Sequence, residues 1–225
     1  MQQFYIEKGQ GTPLILLHGN GDDHRYFVHQ MDALSCAYHV YAVDTRGHGQ
    51  SPGGEGEFSL SRFAEDLLAF MDLHHIEKAH LLGFSDGGNI ALLFALRYPH
   101  RVEKLILNGA NLYLKGLRKS VIEGCKSAYD EALPKAEADP AAKRTVDMMR
   151  LILQEPNIAP AALCSLPMPT LVIAGTKDMI LRRHTKMIAR HIPRARLVLM
   201  EGDHFIAQKY PEAFNRHVLD FLCES

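Results

Sequence analysis

The sequence of 225 residues has no tryptophan, no long apolar run and no surplus of either charge, and these absences exclude several classes of function. Lys and Arg number 25 against 26 Asp and Glu, a formal net charge of -1, and the basic residues are spread along the chain. Binding to phosphates or to an anionic bilayer needs a concentrated positive face. Neither nucleic acid nor membrane is therefore an expected partner. No stretch approaches the roughly 20 apolar residues that cross a bilayer, and the first eight residues, Met1 to Lys8, carry neither a basic leader nor a long apolar region. The expected compartment is the cytoplasm. Cys36, Cys125, Cys164 and Cys223 lie far apart without C-x-x-C spacing, in a chain long enough to bury a core without disulfide staples. They read as reduced thiols. Thirteen histidines are present, but no H-E-x-x-H or similar ligand spacing accompanies them, so neither a metal nor another cofactor is expected.

What is present is a chain 47% hydrophobic, enough to bury one large core. Short apolar runs alternate with helical stretches, the pattern of a mostly parallel α/β sheet covered on both faces. Strands are predicted at Pro13–Leu17, His39–Asp44, Ala79–Phe84, Lys104–Asn108, Thr170–Ala174 and Arg196–Met200, all joining one sheet. Helices are predicted at His24–Ser35, Leu60–His75 with Ser59 as N-cap, Asp86–Tyr98, Arg183–Arg190 and Pro211–Cys223. Residues 112–166 break the alternation: Lys115–Leu133 and Ala141–Glu155 read as charged helices with no strand between them. About 55 residues exceed what one crossover needs. The segment is therefore expected to be an inserted helical cap over the carboxyl ends of the strands, where open parallel sheets bind ligands.

The run Leu81-Leu82-Gly83-Phe84-Ser85-Asp86-Gly87-Gly88 places one serine between glycines where an apolar strand enters a helix. Such a tight turn forces its central residue into an unfavourable backbone conformation and crowds the positions two before and two after, which must be nearly without side chains. Gly83 and Gly87 meet that demand, and Ser85 becomes the candidate nucleophile. A serine hydroxyl needs a base and an acid to orient that base. His204 follows the last predicted strand and a glycine turn, whereas His184 and His191 fall on a predicted helix. Asp178 ends the loop after Thr170–Ala174. Its rival Asp203 adjoins His204, and consecutive side chains rarely meet in the required way. The run Leu105 to Asn111 offers only amides as an acid.

Oxyanion donors are expected from the backbone amides of Asp86 and of Asn20, the latter in the loop His18-Gly19-Asn20-Gly21 after the first strand. That loop continues into Asp22 and Asp23, carboxylates where a phosphate site would need a cation, so nucleotide binding is disfavoured.

Together these segments resemble the α/β-hydrolase superfamily over nearly the whole chain. His18 to Gly21 resembles its oxyanion loop, Asp44-Thr45-Arg46-Gly47-His48-Gly49-Gln50-Ser51 its structural D-x-R-G-x-G-x-S turn, and Ser85, Asp178 and His204 its triad. Gly83 to Gly88 with Asn108-Gly109-Ala110-Asn111 is similar to the valacyclovir-hydrolase or biphenyl-hydrolase-like branch. The resemblance implies a cofactor-free hydrolase of small carboxylic esters. That branch further implies α-amino-acid esters with Asp86 binding the ammonium; alternatively, Asp86 is a first-turn acid stabilised by the helix dipole. Perhydrolysis or carbon–carbon bond hydrolysis on the same triad, and a small-molecule receptor with vestigial hydrolysis, remain open. Dehalogenation is disfavoured, because the resembling enzymes use an aspartate nucleophile and a tryptophan. Lys115, Arg118, Lys119, Glu123, Lys126, Asp130 and Glu131 mark the cap as solvated rather than lipid-docking. No feature of the sequence specifies an oligomeric state.

Overall fold

The computed structural model describes residues 2–54 and 58–224. Among the described residues seven strands form one sheet: β1 (Tyr5–Lys8), β2 (Pro13–Leu17), β3 (His39–Val43), β4 (Ala79–Phe84), β5 (Val102–Asn108), β6 (Thr170–Gly175) and β7 (Ala195–Met200). Their order is β1-β3-β2-β4-β5-β6-β7, parallel throughout except that β1 pairs antiparallel with β3. The six predicted strands are all present. β1 is an addition, and its Glu7 and Lys8 sit on an exposed edge where no hydrophobic pattern is required.

Because helices cover both faces, successive residues of one strand enter different apolar clusters. Ile15, Leu17 and Leu81 pack with α2 (Leu60–Leu73) and α3 (Asp86–Arg97), while Leu14, Leu16, Leu82 and Phe84 pack with α1 (Val28–Leu34) and α8 (Pro211–Cys223). Ser59 caps α2 by accepting from the Arg62 amide at 3.2 Å. The helix predicted over His24–Ser35 is broken into a 3-10 turn, His24–Phe27, and α1. Asp23 caps the turn, and Asp44 accepts from both the His24 amide at 2.7 Å and its ring Nδ1 at 2.9 Å, which fixes the entry.

Between β5 and β6 the chain forms α4 (Lys119–Ala132) and α5 (Pro140–Gln154), joined through a small apolar cluster of Ala132, Ala142 and Val146 that is separate from both main cores. α6 (Arg182–His191) precedes β7, and a single turn of helix, α7 (Ile206–Lys209), precedes α8. No helix among the described residues is long and apolar enough to cross a membrane.

The topology reverses direction at β2 and β4, which lie side by side. The loops leaving these two strands carry Asn20 and Ser85, and the loops leaving β6 and β7 carry Asp178 and His204. All four residues thus reach the same carboxyl edge. The Asp44–Ser51 turn is built as a brace: the buried Arg46 grips Asp66 of α2 with two bonds, 2.7 and 2.6 Å, and Asp44 also accepts from the Gln50 amide at 2.8 Å.

Candidate active site

Ser85 sits between β4 and α3 at φ 53°, ψ -118°, in the positive-φ region that strains a residue with a Cβ. The neighbouring glycines enforce this conformation. A Cβ on Gly83 would run into the carbonyl of Gly87, and one on Gly87 into the carbonyl of Leu17. The Ser85 amide is anchored to Asn108 O at 2.8 Å, so the turn is fastened to the end of β5.

His204 Nδ1 lies 2.7 Å from Asp178 Oδ1, and both residues are at least 97% buried. Asp178 Oδ1 also accepts from the Ile180 amide at 2.9 Å, which fixes its rotamer. The His204 ring rests on Phe84, the residue before Ser85, with centroids 4.8 Å apart. Room for the ring comes from Gly109, at φ +65°; a Cβ there would lie 2.7 Å from His204 Cε1. His204 Nε2 is buried and makes no hydrogen bond to any described residue. Asp203 is engaged elsewhere, accepting from Lys209 and from the Phe205 amide. His184 is a structural acceptor for the Leu112 amide at 2.9 Å, and burial pushes its pKa down to about 4, keeping that acceptor neutral.

Ser85, Asn20 and Asp86 line one cavity of about 50 Å³. Asn111 and Glu155 contribute its other polar walls, while Val121 of α4 and Ile152 of α5 roof it with aliphatic surface. The amide of Asp86 opens α3, so the positive end of that helix faces the nucleophile turn. His18 secures the preceding loop: its Nε2 accepts from the Thr45 amide at 3.0 Å, while Nδ1 donates to Gly19 O at 2.7 Å. Asn20 reaches the roof, its side-chain amide donating to Met148 O of α5 at 2.9 Å.

Asp86 is 8% exposed. Its Oδ1 accepts from Asn89 at 3.1 Å, and Asn89 in turn bonds Asn111, whereas Asp86 Oδ2 has no partner among the described residues. Burial pushes the Asp86 pKa up to about 6, with the Asn89 and Asn20 amides pulling it partly back and Glu155 adding repulsion. Asp22, half-buried beside the Asn20 loop, is raised to about 6 for the same leading reason.

Two contributors escape sequence reasoning: Glu155 and Arg118 belong to no local motif, while Asn111 is legible only as the end of the Asn108–Asn111 run. Arg118, which the sequence places on a solvated lid, keeps an exposed surface but donates Nε to the backbone carbonyl of Asp178 at 2.6 Å. Neighbouring backbone bonds, Arg118 N to Met179 O at 2.9 Å and Leu181 N to Gly116 O at 2.8 Å, fasten the start of the helical insertion to the Asp178 loop. Among the described residues, Asp23, His24 and Asp44 form a cluster with metal-ligand spacing. Its groups already bond within the protein, Asp23 to Arg25 and His24 to Asp44, and none of them lines the cavity.

A doubly covered, mostly parallel sheet with a strained serine on a strand-to-helix turn defines the α/β-hydrolase architecture, and a family profile described as the alpha/beta hydrolase fold matches residues 12–123. The chain belongs to this family of hydrolases. It is 31% identical to the serine hydrolase BPHL of Homo sapiens, over 99% of this chain and 83% of that protein. Among solved structures it is similar to the meta-cleavage product hydrolase CumD of Pseudomonas fluorescens IP01, with TM-score 0.82 and 26% identity over 98% of this chain and 93% of that one. It is also similar to the enol-lactonase of Burkholderia xenovorans LB400, with TM-score 0.81 and 25% identity over 99% and 96%.

Proposed function

We propose that the protein is a serine hydrolase of small carboxylic esters bearing an α-amino group, acting through an acyl-enzyme on Ser85. The observation that carries this reading is the 2.7 Å His204–Asp178 pair, held at the rim where the strained Ser85 opens into a small cavity. Ser85 Oγ attacks the ester carbonyl as His204 Nε2 takes its proton. Asp178 holds the ring so that Nδ1–H points at the carboxylate and stabilises the imidazolium that forms. The backbone amides of Asn20 and Asp86 stabilise the negative oxygen. His204 returns the proton to the leaving alcohol. Water, deprotonated by the same imidazole, then releases the acid. Every step uses side chains and amides of the chain itself.

Residues 112–166 act as the cap over this centre, and their share of the cavity wall supports that role. The ammonium of the acyl group sits against Asp86 Oδ2, an acceptor with no hydrogen-bond partner among the described residues, and ionising that carboxylate beside a cation offsets its burial. The small cavity favours short acyl groups.

The experiment is a comparison of an aminoacyl methyl ester with its desamino analogue on wild type, Ser85→Ala and Asp86→Asn. The reading expects loss of both activities in Ser85→Ala. In Asp86→Asn it expects selective loss on the aminoacyl ester. Equal losses on both esters in Asp86→Asn would remove the recognition role, and full activity in Ser85→Ala would remove the mechanism. Multiple turnovers per active site separate an enzyme from a receptor that reacts once.

A further inference from the structure

The two residues assigned to the oxyanion through their backbone amides, Asn20 and Asp86, also line the cavity beside Ser85. Each holds a buried oxygen that accepts no hydrogen bond among the described residues, Asn20 Oδ1 and Asp86 Oδ2. The two side chains are neighbours, since the Asn20 amide helps draw the Asp86 carboxyl back toward its ordinary pKa. The orientation of Asn20 is fixed by its other end. Nδ2 donates to Met148 O of α5 at 2.9 Å, and the flipped amide would set two carbonyl oxygens against each other. Asn111, the other amide in the wall, is already engaged: its Oδ1 accepts from Asn89 at 3.1 Å and its Nδ2 donates to Tyr113 O at 3.4 Å. Leaving buried acceptors unpaired is unfavourable, so a group that donates to both free oxygens is stabilised between them.

We infer that Asn20 determines specificity together with Asp86, its side-chain oxygen accepting a second hydrogen bond from the substrate's α-ammonium, so that the favoured acyl groups are short amino acids with a free primary amine. This rests on the aminoacyl-ester reading above and deepens it. The carbonyl oxygen and α-nitrogen of an aminoacyl group are separated by two carbons, so a residue that meets one with its backbone has the other within reach of a short side chain. Asn20 and Asp86 then clamp the same two substrate atoms from two different loops. A primary ammonium has three N–H donors, enough for both oxygens. A dimethylated one keeps a single N–H and satisfies only one. The cavity, about 50 Å³, limits the acyl group to small side chains such as that of alanine.

The test uses methyl esters that differ only at the α-substituent: alanyl, its isostere isobutyryl, and N,N-dimethylalanyl, with each kcat/KM scaled by the ester's uncatalysed hydrolysis rate at the same pH. Wild type is expected to favour alanyl over isobutyryl by tenfold or more, and over N,N-dimethylalanyl by a similar factor. Asn20→Ala keeps the backbone amide and removes the side-chain oxygen. It is expected to lower the alanyl-to-isobutyryl ratio about tenfold, the weight of one hydrogen bond to a charged group. Loss of the Met148 anchor alone would slow both esters alike, and an unmoved ratio would overturn the inference. Equal turnover of alanyl and N,N-dimethylalanyl by wild type would overturn it as well, even where the variant folds poorly. If Asp86→Asn removes the wild-type preference for alanyl while Asn20→Ala leaves it intact, only the role of Asn20 falls. If wild type treats alanyl and isobutyryl alike, the aminoacyl reading falls with it.

Discussion

His204 and Asp178 leave neighbouring strands and meet with Nδ1 and Oδ1 2.7 Å apart, both side chains shut away from solvent. The Ile180 amide holds the same carboxylate oxygen at 2.9 Å, so the acid cannot rotate without losing two bonds. Asp178→Asn keeps the shape but presents an amide to the ring and favours the wrong tautomer. The expected result is a kcat lower by on the order of 10³–10⁴-fold with little change in folded content. Stopped-flow or steady-state ester hydrolysis checks it, and a loss below tenfold would show that Asp178 does not orient the base.

Gly109→Ala tests the packing that admits the imidazole. The new Cβ would lie 2.7 Å from His204 Cε1 and 2.9 Å from Nδ1, and the site's φ of +65° adds strain of about 1–2 kcal/mol. Displacing a ring by a fraction of an ångström or more lowers kcat by about 10²-fold where geometry limits the reaction. Activity assays alongside thermal melts check the prediction: kcat should fall far more than the loss of stability accounts for.

Asp86 makes opposite contributions to stability and recognition. Its pKa in the folded protein, about 6, exceeds the ordinary 3.8, so the folded state favours the protonated form. The associated stabilisation is complete below pH 3.8 and is lost as pH rises through 6, an effect of up to about 3 kcal/mol. Asp86→Asn removes the buried charge and is expected to raise Tm at pH 7.5 while abolishing the preference for aminoacyl esters. In wild type that preference should grow as pH rises through 6, because the ammonium requires the carboxylate. Asp22 titrates in the same range, so the asparagine variant serves as the control: its ester ratio should be flat with pH.

Breaking the brace under the site should cost stability rather than chemistry. Arg46 is 2% exposed and held by both oxygens of Asp66. Asp66→Ala leaves a buried guanidinium without that partner, a loss of about 3–5 kcal/mol. Denaturant unfolding checks it through a lower midpoint at unchanged slope.

Much of this architecture is legible from local chemistry. The strand-to-helix turn at Ser85 announces itself through Gly83 and Gly87, because its contacts lie within a few residues of each other. Buried strands such as Ala79–Phe84 read directly because both faces need apolar side chains. His204 and Asp178 are suggested by topology, since both follow strands at one sheet edge. β1 leaves no hydrophobic signature in the sequence because an antiparallel edge strand tolerates the charged end Glu7-Lys8. The break at His24 is invisible to local patterning because its cause, Asp44, lies 20 residues away. The cavity was the least legible part: Glu155 enters from the end of α5, and Arg118 reaches Asp178 across 60 residues. Such contacts depend on how the helical insertion settles, and periodicity records only that its helices are amphipathic.

The central claim, a covalent acyl-enzyme on Ser85, is tested most directly by trapping the protein with an activated ester at low pH and locating the added mass by peptide mass spectrometry. The account predicts one acyl group per chain on the peptide containing Ser85, released on return to neutral pH and absent in Ser85→Ala. Rapid ester turnover with no adduct on that peptide, or an adduct that persists in Ser85→Ala, would contradict it.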